Sequence, residues 1–319
     1  MVFIIIEIEK EKKKMADIKE MVFNEETKID HVQAPWEDEM NEGDFVSYAP
    51  SYVNGKERLK FEKCSFPCKQ TGDITYYLFD PVKNGSAPDG KYPLLVWIHG
   101  FNCADGINAV GHSGGEQFAS EKYQSELGGG AYILVPLANE KWVNGEMEGT
   151  WSEAYFEPLA DIIREIQQKH SANISKTMIS GGSSGGWMSW IMAEKYTELF
   201  DICVPIASSY IPDKKELDRM ADTGLVTLVM HGKRDELCSF DEHVLPKISD
   251  LEEMKNCTLY FPEWVRNGDG GVASLNFGFE MGQHCLINQA QANLMFEDGT
   301  PYDERFPDGL TGWIREQCR

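Results

Sequence analysis

The chain has no apolar run near the roughly 20 residues that a helix needs to span a bilayer. Its continuous apolar stretches, such as Leu94-Leu95-Val96-Trp97-Ile98, are short. It also lacks the order of a secretory leader. Phe3-Ile4-Ile5-Ile6 comes before the basic run that ends at Lys14, is interrupted by Glu7, and precedes no small-residue cleavage site. A cytoplasmic protein is expected, with Met15 as an alternative start. Basic charge is scarce: 30 Lys and Arg stand against 52 Asp and Glu, a net charge of −22. Such a surface repels nucleic acid and anionic membranes, argues against both as partners, and disfavours polyanionic substrates. Metal-ligand spacing is missing too. Cys64-Ser65-Phe66-Pro67-Cys68 has no second cysteine pair or histidine pair to complete a zinc site, and no metal or other cofactor is expected. In the absence of a leader the eight cysteines read as reduced thiols, with Cys203 and Cys257 as core filler. No internal repeat or low-complexity tract is present.

What remains is a 319-residue chain, 42% hydrophobic and 26% charged, long enough to bury about three quarters of its unfolded surface. Residues 1–44 are charged and weakly patterned and read as a peripheral arm; residues 45–319 read as a single domain. Leu59-Lys60-Phe61-Glu62 and Ile74–Phe79 pattern as antiparallel strands around a turn at Gln70-Thr71-Gly72-Asp73. The character then changes. Leu94–Ile98, Tyr132–Val135, Thr177–Ser180, Ile202–Ile206, Val226–Met230 and Thr258–Phe261 are short apolar runs of the kind covered on both faces. Helical patterns over 153–169, 184–198, 213–221 and 241–254 alternate with the later ones. This predicts an α/β fold: a mostly parallel central sheet, helices on both faces, and antiparallel strands at its N-terminal edge.

One stretch concentrates the chemistry. In Lys176-Thr177-Met178-Ile179-Ser180-Gly181-Gly182-Ser183-Ser184-Gly185-Gly186-Trp187 a β-prone run breaks into glycines around a serine and continues as a helix. That is the strand–turn–helix layout of a nucleophile elbow, G-x-S-x-G. A tight turn lifts the serine clear of the sheet, small neighbours let the helix pack close, and the next N–H points at a developing oxyanion. Two registers fit: Gly181–Gly185 places the nucleophile at Ser183, and Gly182–Gly186 places it at Ser184. The first glycine should follow the strand directly, which favours Ser183 and makes the Ser184 N–H an oxyanion donor.

A serine hydroxyl needs a base, itself oriented by an acid. Asp235 lies just past the strand Val226–Met230, 52 positions after Ser183; Glu236 and Asp241 share its loop and read as surface charge or helix caps. His284, in Gly282-Gln283-His284-Cys285, comes 49 positions later, after the last strand and the glycine-rich stretch 267–271. His31 and His170 sit in polar surroundings, His243 in a helix, and His231 ends a strand as a turn-holding residue. The second oxyanion donor is expected from Ile98-His99-Gly100-Phe101, as the N–H of Phe101, with His99 bonding the loop.

Ile98-His99-Gly100, Gly181–Gly186, His231-Gly232-Lys233-Arg234-Asp235 and Gln283-His284 together resemble the α/β-hydrolase serine esterases. The nearest resemblance is to the branch of feruloyl and acetyl-xylan esterases and polyhydroxybutyrate-depolymerase-like enzymes, and it spans residues 58–315. It implies the α/β-hydrolase fold and hydrolysis of a carboxylic ester through an acyl-enzyme, on hydroxycinnamoyl or acetyl esters of plant polysaccharide or similar small esters. Some fungal relatives pair a cysteine before the serine with one after the histidine. Here Cys285 follows His284 but Gly182 precedes Ser183, so that bridge cannot form; a contact of Cys285 with Cys238 stays open.

Many relatives insert a helical lid after the strand that follows the elbow, and the 52-position interval leaves almost no room for one. The substrate walls are then the loops 101–115, 138–152 and 262–283. Trp142 and Trp151 in the middle loop are candidates to stack on an aromatic acyl group or a sugar, or else to pack the loop on the core. Trp187 and Trp190, on the elbow helix, are expected in the core. Two other functions stay open. A prolyl-oligopeptidase-like serine peptidase shares a similar elbow but carries a large propeller, for which the roughly ninety residues before the first central strand leave little room. A non-catalytic hydrolase-fold binding protein often loses one of the three partners, and here all three are present.

Overall fold

The apolar runs become the strands of one sheet, because each is covered on both faces and has nowhere polar to turn. These are β1 (Glu62–Phe66), β2 (Ile74–Phe79), β3 (Tyr92–Ile98), β4 (Tyr132–Pro136), β5 (Ile174–Gly182), β6 (Ile202–Ile206), β7 (Val226–Met230) and β8 (Cys257–Tyr260). The structure is a computed structural model that describes residues 45–47, 57–113, 115–235, 237–268, 270–274 and 279–319. The arm expected over residues 1–44 lies outside the described residues.

The strand order is β8-β7-β6-β5-β3-β4-β2-β1. Every pairing from β8 to β4 is parallel, and β2 and β1 add antiparallel strands at the far edge. Alternation along β3 shows why both faces are buried. Leu94, Val96 and Ile98 enter one core with the helices α1 (Phe156–Lys169), α2 (Ser184–Lys195) and α3 (Lys214–Asp222). Leu95 and Trp97 enter the other, beneath α4 (Gly309–Gln317) and the short helix Ile287–Gln291. Between β6 and β7 the chain runs through residues 207–213 directly into α3, and no lid is built there.

Two sequence expectations change. The strand expected from Leu59 starts only at Glu62: Glu57–Lys60 forms a 3-10 turn, and Leu59 is 82% exposed. The Arg58 guanidinium binds the buried Glu116 carboxylate at 2.7 Å and Asn108 at 2.6 Å, which pins the turn over the helices and leaves Leu59 outside. The helix expected over 241–254 is broken into a π-turn (Phe240–Val244), a 3-10 turn (Leu245–Lys247) and the helix Ile248–Glu253. Pro246 lacks an N–H, and its ring disfavours a continuous helix through that point.

The helix behind the elbow is held close by glycine. A Cβ on Gly185 would collide with the Ile98 carbonyl oxygen and lie 2.9 Å from that of His99; a Cβ on Gly186 would collide with the Ile206 carbonyl oxygen. These neighbours are backbone and cannot swing away. Gly185→Ala should therefore cost about 1–3 kcal/mol of stability, read as a lower denaturant midpoint at unchanged slope. A midpoint equal to that of the wild type would show that α2 has slack against β3.

Candidate active site

β5 ends at Gly182 and α2 begins at Ser184, so Ser183 alone turns the chain, at φ 57° and ψ −122°. A non-glycine residue held there stores strain of about 1–3 kcal/mol, which persists only where surrounding bonds over-determine it. Here the Ser183 N–H donates to the Ile206 carbonyl at 3.0 Å, and its own carbonyl accepts from the Trp187 N–H at 3.0 Å. Ser184 is instead the first residue of α2, and its Oγ is buried without a hydrogen-bond partner. Its N–H lies among the donors that a helix start leaves unpaired. Ser183, not Ser184, stands at the apex.

Asp235 follows β7 and is 2% exposed. Its Oδ1 accepts from the N–H groups of Leu237 (3.0 Å) and Cys238 (2.9 Å), and its Oδ2 is 2.8 Å from Nδ1 of His284. With one oxygen fixed by its own loop, the carboxylate can aim the other at the imidazole. The hydrogen bond places the proton on Nδ1 and leaves Nε2 as a basic lone pair. His231, at the end of β7, donates from Nε2 to the Cys238 carbonyl at 2.7 Å and closes the same turn; burial lowers its pKa and favours the neutral ring.

His284 ends the helix Phe279–His284. The preceding residue, Gln283, is fully buried: its Oε1 accepts from the Val265 N–H at 2.9 Å, and its Nε2 donates to the carbonyls of Val265 (3.1 Å) and Ala273 (3.0 Å). This cross-brace fixes the long connection that carries the histidine. A Cβ on Gly182 would lie 3.1 Å from the Ile287 side chain, so the segment just past His284 packs on the elbow. None of the eight cysteines is in a disulfide, so Cys238 and Cys285 are not bridged; burial pushes the Cys285 thiol pKa up to about 12.

The loop after β3 comes in from the other side. A Cβ on Gly100 would lie 3.9 Å from that of Ser183. His99 is buried, with Nδ1 donating to the Gly100 carbonyl at 2.7 Å and Nε2 accepting the Ala138 N–H at 3.0 Å. Phe101 is 38% exposed at the turn. The two tryptophans part company. Trp142 is 52% exposed on a short hairpin, Lys141–Val143 with Glu146–Glu148, and its Nε1 donates to Asn102 Oδ1 at 3.2 Å. Trp151 is buried: its Nε1 donates to the His99 carbonyl at 2.9 Å and its ring packs on His99 and Tyr155. Of the two, only Trp142 offers an exposed indole. Trp190 is fully buried and Trp187 partly so. Among the described residues no cluster of His, Cys, Asp or Glu is placed to hold a metal ion, and no helix is long and apolar enough to cross a membrane.

No protein-family model and no curated protein matches the chain. Solved structures do. A thermostable esterase superimposes with a TM-score of 0.55 at 24% identity, over 74% of this chain and 61% of that one. The siderophore hydrolase EstB from Aspergillus nidulans superimposes with a TM-score of 0.50 at 11% identity, over 81% of this chain and 99% of that one. The chain thus matches less than two thirds of the length of the thermostable esterase. A parallel sheet in this order, with a strained serine between β5 and α2, defines the α/β-hydrolase fold, and the protein has that fold.

Proposed function

We propose that the protein is a serine carboxylic-ester hydrolase in which Ser183, His284 and Asp235 form the catalytic triad. The observation that carries this reading is the strained serine at the elbow, a kind of conformation that clusters at active sites. The Asp235–His284 hydrogen bond at 2.8 Å and the likeness to a thermostable esterase support it. Ser183 Oγ attacks the ester carbonyl carbon while Nε2 of His284 takes its proton. The tetrahedral oxyanion accepts hydrogen bonds from the N–H groups of Phe101 and Ser184. His284 then protonates the departing alkoxide as the ester C–O bond breaks, leaving acyl-Ser183. Water attacks that ester with the same base, and the acid leaves as serine recovers its proton.

Hydroxycinnamoyl or acetyl esters, as small molecules or on plant polysaccharide, are the substrates this reading favours. The exposed Trp142 beside the Phe101 turn suits an aromatic acyl group or a sugar, and the direct path from β6 into α3 leaves the elbow open to a bulky ester. Hydrolysis of methyl ferulate and p-nitrophenyl acetate tests it. The wild type should cleave both, and Trp142→Ala should raise KM for methyl ferulate by about 2–10-fold, the worth of one aromatic contact, while leaving p-nitrophenyl acetate unchanged. Equal KM values for methyl ferulate would remove Trp142 from the subsite. A wild type inert to both esters would overturn the assignment.

A further inference from the structure

We infer that Glu140 is a positioning residue for the oxyanion loop: its carboxylate, gripped by consecutive backbone amides of the turn after β3, fixes that turn so that the Phe101 N–H faces Ser183. This rests on the esterase reading above and extends it to a residue outside the triad and the oxyanion donors. Oε2 of Glu140 accepts from the N–H groups of Cys103 at 3.1 Å and Ala104 at 3.2 Å. Two successive amides converging on one anion make a backbone nest, and the φ of 58° at Asn102 is the left-handed bend that such a concavity uses. The Phe101 amide lies one residue before that bend and two before the first bonded amide, and Gly100 before it packs on Ser183.

Glu140 is itself held rigidly. The Ala138 N–H donates to His99 Nε2 at 3.0 Å, the Asn139 N–H to the Tyr155 hydroxyl at 2.8 Å, and Asn139 Nδ2 to the Thr71 carbonyl at 2.7 Å. The arrangement is costly. Oε1 of Glu140 is buried without a partner, and burial raises the pKa of the carboxyl despite the amides. Stability alone gives no reason to keep a half-satisfied acid there, since an apolar residue would avoid the desolvation. What the acid does supply is a fixed anchor for a loop that has no helix or strand of its own. The residue does not touch the reacting atoms; it acts through the backbone.

The test compares Glu140→Ala, Glu140→Gln, Ser183→Ala and wild type by active-site-titrated kcat and KM, by Ki for phenylboronic acid, and by amide hydrogen exchange over residues 101–104. The boronate adds to Ser183 and places an oxygen in the oxyanion site, so its per-site Ki reports loop geometry and is unaffected by the folded fraction. Glu140→Ala should lower kcat by about 10–100-fold, less than or equal to the loss of one oxyanion donor, with KM little changed. Its boronate Ki should rise by a like factor, and exchange at Cys103 and Ala104 should accelerate. Glu140→Gln, whose amide oxygen can still accept from the nest, should recover most of both. Wild-type kcat and Ki in Glu140→Ala would overturn the inference, as would a fall in kcat without a rise in Ki, or a fall only in titratable sites. Wild-type turnover in Ser183→Ala would instead remove the esterase reading.

Discussion

Ser183→Ala is expected to lower kcat toward p-nitrophenyl acetate by about 10⁴–10⁶, the range for loss of one triad member. The expectation follows from the turn. No other hydroxyl takes its place, because Ser184 belongs to the first turn of α2 and its Oγ is buried. The backbone bonds that hold the apex run through the N–H and carbonyl of residue 183, not its side chain, and survive the substitution. Alanine at φ 57° remains strained, so the unfolding midpoint of Ser183→Ala should stay near the wild-type value. Glycine tolerates that φ, and Ser183→Gly should be more stable than either while equally inactive. A Ser183→Ala enzyme within tenfold of the wild type would refute the assignment.

The second large effect is expected from Asp235→Asn, a fall in kcat of about 10⁴. The substitution preserves shape. An asparagine oxygen can still accept from the Leu237 and Cys238 amides, which use Oδ1 in the native protein, so the turn after β7 should persist. The NH2 group would then face Nδ1 of His284 in place of Oδ2. Two donors cannot share that contact, so Nδ1 must become the acceptor and the proton moves to Nε2, the position that has to take a proton from Ser183. KM and thermal stability should change little. A loss smaller than tenfold would take Asp235 out of the triad and return attention to Asp241 in the same loop.

How far the sequence could be read depended on how local the deciding forces were. Ile202–Ile206 and Val226–Met230 appear with the expected bounds, since apolar runs buried on both faces have one outcome. Residues 59–61 did not, because their fate is set by Arg58 reaching Glu116, 58 positions away. The turn at Ser183 was legible from its glycines, and the place of Asp235 just past β7 from the end of the apolar run Val226–Met230. Trp142 and Trp151 were not separable: they are the same residue type in one loop, and only packing on His99 and Tyr155 buries the second. Glu140 carried no signal in the sequence. Its partners at Cys103 and Ala104 lie 37 and 36 positions earlier and are backbone groups, which residue type does not reveal.

The most direct measurement is the site of covalent capture. The native protein is treated with a fluorophosphonate, digested, and the adduct mapped by mass spectrometry, with p-nitrophenyl acetate turnover followed in parallel. One stoichiometric adduct is expected, on Ser183, with turnover lost in proportion to labelling. An adduct on Ser184, or full turnover in protein labelled at Ser183, would rule out Ser183 as the nucleophile.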